Sequence, residues 1–153
     1  MEKVINQIKA FFDEGSWKYK YYEDKKAFKT IVSMGNSLGD LKIYILLKKD
    51  SYITYAILNN KASQKSFADV SEFINRANYG LLNGNFELDY SDGEVRYKSF
   101  VDFTKASISK EIIFNSIAIP IFMIDQYGED LLKVMLGEET PEEGIKNAES
   151  KAK

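Results

Sequence analysis

The chain has 153 residues, 44% hydrophobic, 29% charged and 14% aromatic, with neither cysteine nor histidine. That length suits one domain with a core that needs no staples. The missing residue types exclude disulfides, zinc–thiolate and iron–sulfur centres, thiol nucleophiles, the Ser-His-Asp triad and the usual neutral-pH general base.

Residues 3–15 read as a helix. Val4, Ile8 and Phe11 recur at i, i+4, i+7, with Ile5 and Phe12 widening the apolar face and Gly15 ending it. The aromatic run Trp17–Tyr22 follows, interleaved with Lys18 and Lys20. Three strand-like runs come next, separated by turn signals at 35–40 and 49–51. Alternation places Phe28, Thr30, Val32 and Met34 on one face of the first, and Leu41, Ile43, Ile45 and Leu47 on one face of the second. In the third it places Ile53, Tyr55 and Ile57 on the core side. The short connections predict an antiparallel meander.

A second helix is expected over 66–79, with Val70, Ile74 and Ala77 as its buried stripe and Gly80 as its stop. A hairpin then follows, with Asp92-Gly93 as a two-residue type I′ turn. Counting from that turn pairs Tyr90 with Val95, Asp89 with Arg96, Leu88 with Tyr97 and Glu87 with Lys98. Phe86, Leu88, Tyr90, Val95 and Tyr97 then share the core face, with two opposite-charge pairs behind them. The last long helix runs from about Ser109 to Leu136. Pro120 within it cannot donate to the carbonyl of Ser116, which predicts a kink. Residues 138–153 are polar and charged and are expected to form a loosely held tail.

The order is thus α-βββ-α-ββ-α: an α+β domain over 1–137, with one five-stranded antiparallel sheet and helices packed on one side. Within it, Asn75-Arg76-Ala77-Asn78-Tyr79-Gly80, Gly84-Asn85-Phe86-Glu87-Leu88-Asp89 and Asp92-Gly93-Glu94-Val95-Arg96-Tyr97 resemble the signature stretch of the YbjN domain family. The resemblance in element order covers about 3–137, and the motif covers 75–97. It implies a fold like that of the type III secretion chaperones. It also implies a provisional role in bacterial sensory transduction regulation. It brings no active site, so no catalytic residue and no cofactor are expected.

Several groups are candidates for chemistry or binding. The helix through 112–124 is apolar on nearly every side, with Ile112, Phe114, Ile119, Phe122 and Met123 off its main stripe. Such a helix is either fully buried or pairs with something, which makes these five residues the leading partner-binding candidates. Tyr44 and Tyr52 lie opposite the more apolar sides of their strands and are candidates on an open sheet face. Asn75, Arg76 and Asn78 are a candidate polar patch, or else architecture at the helix-to-strand reversal. Glu87, Asp89, Asp92, Glu94 and Asp102 cluster in sequence, as acid–base or cation-binding groups do, but turn geometry and cross-strand partners account for most of them. Aromatics beside lysines at Trp17–Tyr22 are the pattern that stacks single-stranded nucleic acid. An edge strand with its lysines in solvent accounts for the same pattern.

Lys+Arg and Asp+Glu number 21 and 23, a net charge of −2, which is not the basic balance of a duplex binder. No basic-then-apolar leader opens the chain, and its most apolar run, 112–124, is far short of the ~20 residues that span a bilayer. The sequence therefore predicts a cytoplasmic, non-enzymatic module that binds a protein or peptide and forms a homodimer, with no membrane and no nucleic-acid partner. A carboxylate-based hydrolase or metal enzyme, and a single-strand nucleic-acid binder, are the alternatives.

Overall fold

A computed structural model describes residues 1–151; the last two residues of the expected tail lie outside the described residues. Six strands form one antiparallel sheet: β1 Tyr19–Tyr22, β2 Ala27–Ser33, β3 Asp40–Leu47, β4 Ser51–Lys61, β5 Asn85–Leu88 and β6 Glu94–Asp102. Their spatial order is β1-β2-β3-β4-β6-β5. The sixth strand, absent from the sequence reading, is β1. Its four residues are too few to display an alternation, and it pairs only with Ala27–Thr30 of β2.

Among the described residues there are also four α-helices: α1 Glu2–Glu14, α2 Phe67–Tyr79, α3 Lys110–Leu136 and α4 Pro141–Ser150. They pack on the face of the sheet that carries Phe28, Leu41, Ile43 and Ile45, all buried. Two apolar clusters fill this layer. One joins α1 to Phe28, Ile45 and Leu47; the other joins α2 and α4 to Leu41, Ile43 and Phe86. Helix α3 serves both, with Ile113 and Ile117 in the first cluster and Ile124, Leu131 and Val134 in the second.

The faces of β4 are the reverse of the sequence reading. Tyr52, Thr54, Ala56 and Leu58 are buried, whereas Ile53, Tyr55 and Ile57 are half-buried on the opposite side. The cause is the β3–β4 connection, which pairs Leu47 with Tyr52. Directly paired residues share a face, so the odd-numbered inner face of β3 continues as even numbers on β4. Both faces of β4 are apolar, so periodicity alone does not choose between them.

The β5–β6 hairpin has a longer loop than a two-residue turn. Leu88 pairs with Val95, Phe86 with Tyr97 and Glu87 with Arg96. The shift from the expected register is even, so Phe86, Leu88, Val95 and Tyr97 keep their common face. Tyr90 leaves it: it is 61% exposed and packs edge-on against Phe67. The loop is built by Asp side chains. Asp89 accepts from the backbone of Ser91, and Asp92 from that of Glu94. Only Gly93 has positive φ, at 79°, and a Cβ there would stand 2.0 Å from the Ala62 carbonyl oxygen.

Helix α3 runs through Pro120 without ending. The Ser116 carbonyl, which Pro120 cannot satisfy, accepts instead from Ser99 Oγ of β6 at 2.9 Å. Ser116 Oγ in turn lies 2.9 Å from Tyr52 Oη, tying β4, β6 and α3 together through buried hydroxyls. At its far end Gly137 adopts φ 74°, and the amides of Gly137 and Glu138 cap the carbonyls of Val134 and Lys133.

The segment expected as a loose tail contains α4. Thr140 and Glu143 form a reciprocal cap with Pro141 in the first turn. Gly144 lets α4 approach closely, since a Cβ there would meet Phe73 and Val134 at 3.0 Å. Lys151 reaches the buried Asp130 at 2.7 Å. Pro141 and Ala148 are buried with it, so α4 belongs to the packed layer.

Candidate functional site

An apolar groove opens where α1, α3 and the end of β2 meet. Phe11 and Trp17 form one wall, Val32 the floor, and Phe114, Ile117, Ala118, Ile121 and Phe122 the α3 side; its volume is about 260 Å³. The aromatic wall is fixed by ring contacts: Phe11 lies 6.3 Å from Trp17 and 6.4 Å from Phe114 between centroids. Trp17 is placed by its amide, which donates to the Phe12 carbonyl at 2.8 Å. Gly15 leaves room for the indole, since a Cβ there would meet Trp17 Cδ1 at 2.6 Å. The groove exists because β1 is short. It covers β2 only to Thr30, so Ile31–Ser33 have a strand neighbour on the β3 side alone.

The five α3 candidates divide by position. Phe114 and Phe122 are 50% and 59% exposed and flank the groove. Ile119 and Met123 are half-buried against the cluster beneath α2 and α4. Ile112 is exposed but faces another side, beside Phe100 and Asn115. Sequence patterning does not mark Phe11, Val32 or Ala118 as site residues, and it marks Trp17 only within the aromatic–lysine run 17–22. The assembly of three distant elements makes the four a wall.

Tyr52 is fully buried and hydrogen-bonded to Ser116, which corrects its place among surface candidates. Burial raises its pKa, and the bond to Ser116 opposes this. Tyr44 is half-buried on the sheet face that carries no helix. In the run 17–22, Tyr19 and Tyr21 turn inward onto Phe12 and Phe28, so they offer no stacking platform; Lys20 and Tyr22 point to the other face.

Asn78 bridges α2 to β5. Its Oδ1 accepts from the Phe86 amide at 2.7 Å and its Nδ2 donates to the Phe86 carbonyl at 3.0 Å. Arg76 pairs with Glu72 one turn earlier at 2.8 Å, and Asn75 is exposed. The carboxylates do not converge either. Burial of Glu87 is outweighed by hydrogen bonds from Lys98 and Arg96, which hold its carboxyl below the ordinary range. Asp92 is lowered by Lys61, Asp89 by Ser91 and Asp102 by Thr104. Among the described residues no three metal-ligating side chains form a cluster.

No protein-family model matches the chain, and no curated protein matches it. Solved structures do. YbjN from E. coli, provisionally a transcription regulator, superposes with a TM-score of 0.60 at 10% identity, covering 87% of this chain and 89% of that one. An uncharacterized protein from Methanothermobacter thermautotrophicus superposes with a TM-score of 0.53 at 16% identity, covering 86% and 96%. The chain therefore has a YbjN-like α+β fold. No helix among the described residues is long and apolar enough to cross a membrane.

Proposed function

We propose that this chain is a non-enzymatic protein-binding module of regulatory type, and that its groove is occupied by a second copy of the chain. The observation that carries this is the exposed ridge Phe114–Ala118–Phe122 beside an apolar groove. Spaced i, i+4, i+8, these residues form one ridge of α3, large–small–large about Ala118. Such a ridge is its own complement across a twofold axis: Phe114 of one copy meets Phe122 of the other, and each ring gains a groove to fill. Ridges of this spacing interdigitate at about −50°. That angle splays apart Glu111 and Asp125, which a more nearly antiparallel crossing would bring together. Covering each half-exposed ring contributes roughly 1 kcal/mol. A regulatory role fits a fold shared with YbjN, whose own description is regulatory. It also fits the fate of the carboxylates Glu87, Asp89, Asp92, Glu94 and Asp102, which go to ion pairs and turns.

Light scattering behind gel filtration tests this. The wild-type chain is expected to elute at twice 17.5 kDa, and a Phe114→Ser, Phe122→Ser variant as a folded monomer with unchanged circular dichroism. A wild-type monomer at about 100 µM, a range where even weak specific dimers form, would overturn the proposal. So would a dimer indifferent to both substitutions.

A further inference from the structure

The sheet face without helices holds a second surface. Across it, the register sets one unbroken row: Lys20 beside Lys29, Lys29 beside Tyr44, Tyr44 beside Tyr55, and Tyr55 beside Lys98. Strands are about 4.8 Å apart, so the row spans roughly 19 Å. At its centre are two half-buried tyrosines directly paired on neighbouring strands. Cations already sit over these rings: Lys29 Nζ lies 5.6 Å from the Tyr44 centroid, and the Arg96 guanidinium 4.1 Å from that of Tyr55.

The charge on this face is cancelled locally only at its β6 end. Glu87 takes up Lys98 and Arg96, and Glu94 lies 3.6 Å from Arg96. Lys20, Lys29 and Lys42 have no carboxylate within ion-pair distance among the described residues. A chain of net charge −2 thus carries three unpaired lysines beside two tyrosine rings on one open face.

We propose that this face binds single-stranded nucleic acid: one base stacks on Tyr44 as the Lys29 head swings from the ring to a phosphate, another stacks on the Arg96 guanidinium held over Tyr55, and Lys20, Lys29 and Lys42 neutralise phosphates. Aromatic and guanidinium faces accept any base, and the three lysines, on β1, β2 and β3, line the side of the tyrosine pair along which a backbone would run. A duplex would hide its base faces from the rings and demands a more basic surface. A second copy is disfavoured because it would set lysines against lysines. The site is separate from the α3 groove and stands or falls independently of it.

Fluorescence anisotropy with labelled oligo(dT) and oligo(rU) twelve-mers tests the proposal. Saturable binding is expected in 20 mM salt. With about three phosphates neutralised, a tenfold rise in salt weakens it by about a hundredfold. Lys20→Glu, Lys29→Glu, Lys42→Glu together abolish it. Tyr44→Leu with Tyr55→Leu, which keeps apolar volume, weakens it at least about tenfold. Circular dichroism confirms that each variant is folded. No binding at 20 mM salt overturns the proposal, as does equal binding by the face variants. Tighter binding of a labelled poly-glutamate peptide overturns it in favour of an acidic polypeptide.

Discussion

Replacing Ser99 by Ala tests how the fold accommodates Pro120. Ser99 is 2% exposed, and its hydroxyl is the donor to the Ser116 carbonyl at 2.9 Å. Losing it leaves a buried carbonyl without a partner, at a cost of about 1–3 kcal/mol. For a chain of this size each kcal/mol moves the melting temperature by about 2–4 °C, so the expected loss is roughly 2–12 °C. The cost should depend on Pro120. In a Pro120→Ala background a backbone amide becomes available to Ser116, and Ser99→Ala should then cost less than about 0.5 kcal/mol. The cavity left by the lost hydroxyl is common to both backgrounds and cancels in the double-mutant cycle. Urea denaturation of the four proteins gives the coupling energy. An equal cost of Ser99→Ala with and without Pro120→Ala would refute the idea that the serine substitutes for the missing helical donor.

Other expectations follow from the same interior. Thr54 is fully buried with no partner for its hydroxyl, so Thr54→Val should stabilise the protein by about 1 kcal/mol in urea melts. Asn78→Ala removes both bonds to Phe86 and should cost about 1–3 kcal/mol. Its amide exchange should speed first in β5, while β2–β4 stay protected. Glu87, held below its ordinary value of 4.5, contributes stability that is present above that pH and is lost as pH falls through its lowered folded value. Glu87→Gln should therefore be less stable than wild type at neutral pH, and the two melting temperatures should converge in acid. A constant difference across the titration would argue against the ion pairs as the cause.

Long-period features were legible from residue types alone. The i, i+4 stripe of α1 and the Ile113-Ile117-Ile121-Ile124 series of α3 led directly to elements within a residue or two of those observed. The orphaned Ser116 carbonyl was also foreseeable from Pro120, although not the donor that answers it. What failed were choices settled by tertiary pairing. Tyr52 and Ile53 are both apolar, and only the β3–β4 register decides which is inside. Asp92-Gly93 signals a reversal, but capping by Asp89 and Asp92 lengthened the loop and released Tyr90. Helix α4 is amphipathic yet short, and its stability comes from the contact of Gly144 with Phe73 and Val134, which no local pattern announces. For the site, Phe114 and Phe122 stand out because no single stripe could bury them. Their groove partners belong to segments about a hundred residues away.

The absence of cysteine makes one measurement especially direct. Ala118→Cys places a lone thiol at the centre of the Phe114–Phe122 ridge, where a twofold axis would bring the two copies' Cα atoms to within roughly 7 Å, close enough for a disulfide. Mild oxidation at about 100 µM protein should convert this variant to a covalent dimer, while Ser37→Cys on the exposed β2–β3 loop stays monomeric. A monomeric Ala118→Cys protein under those conditions, or equal cross-linking of both variants, would contradict self-association through α3.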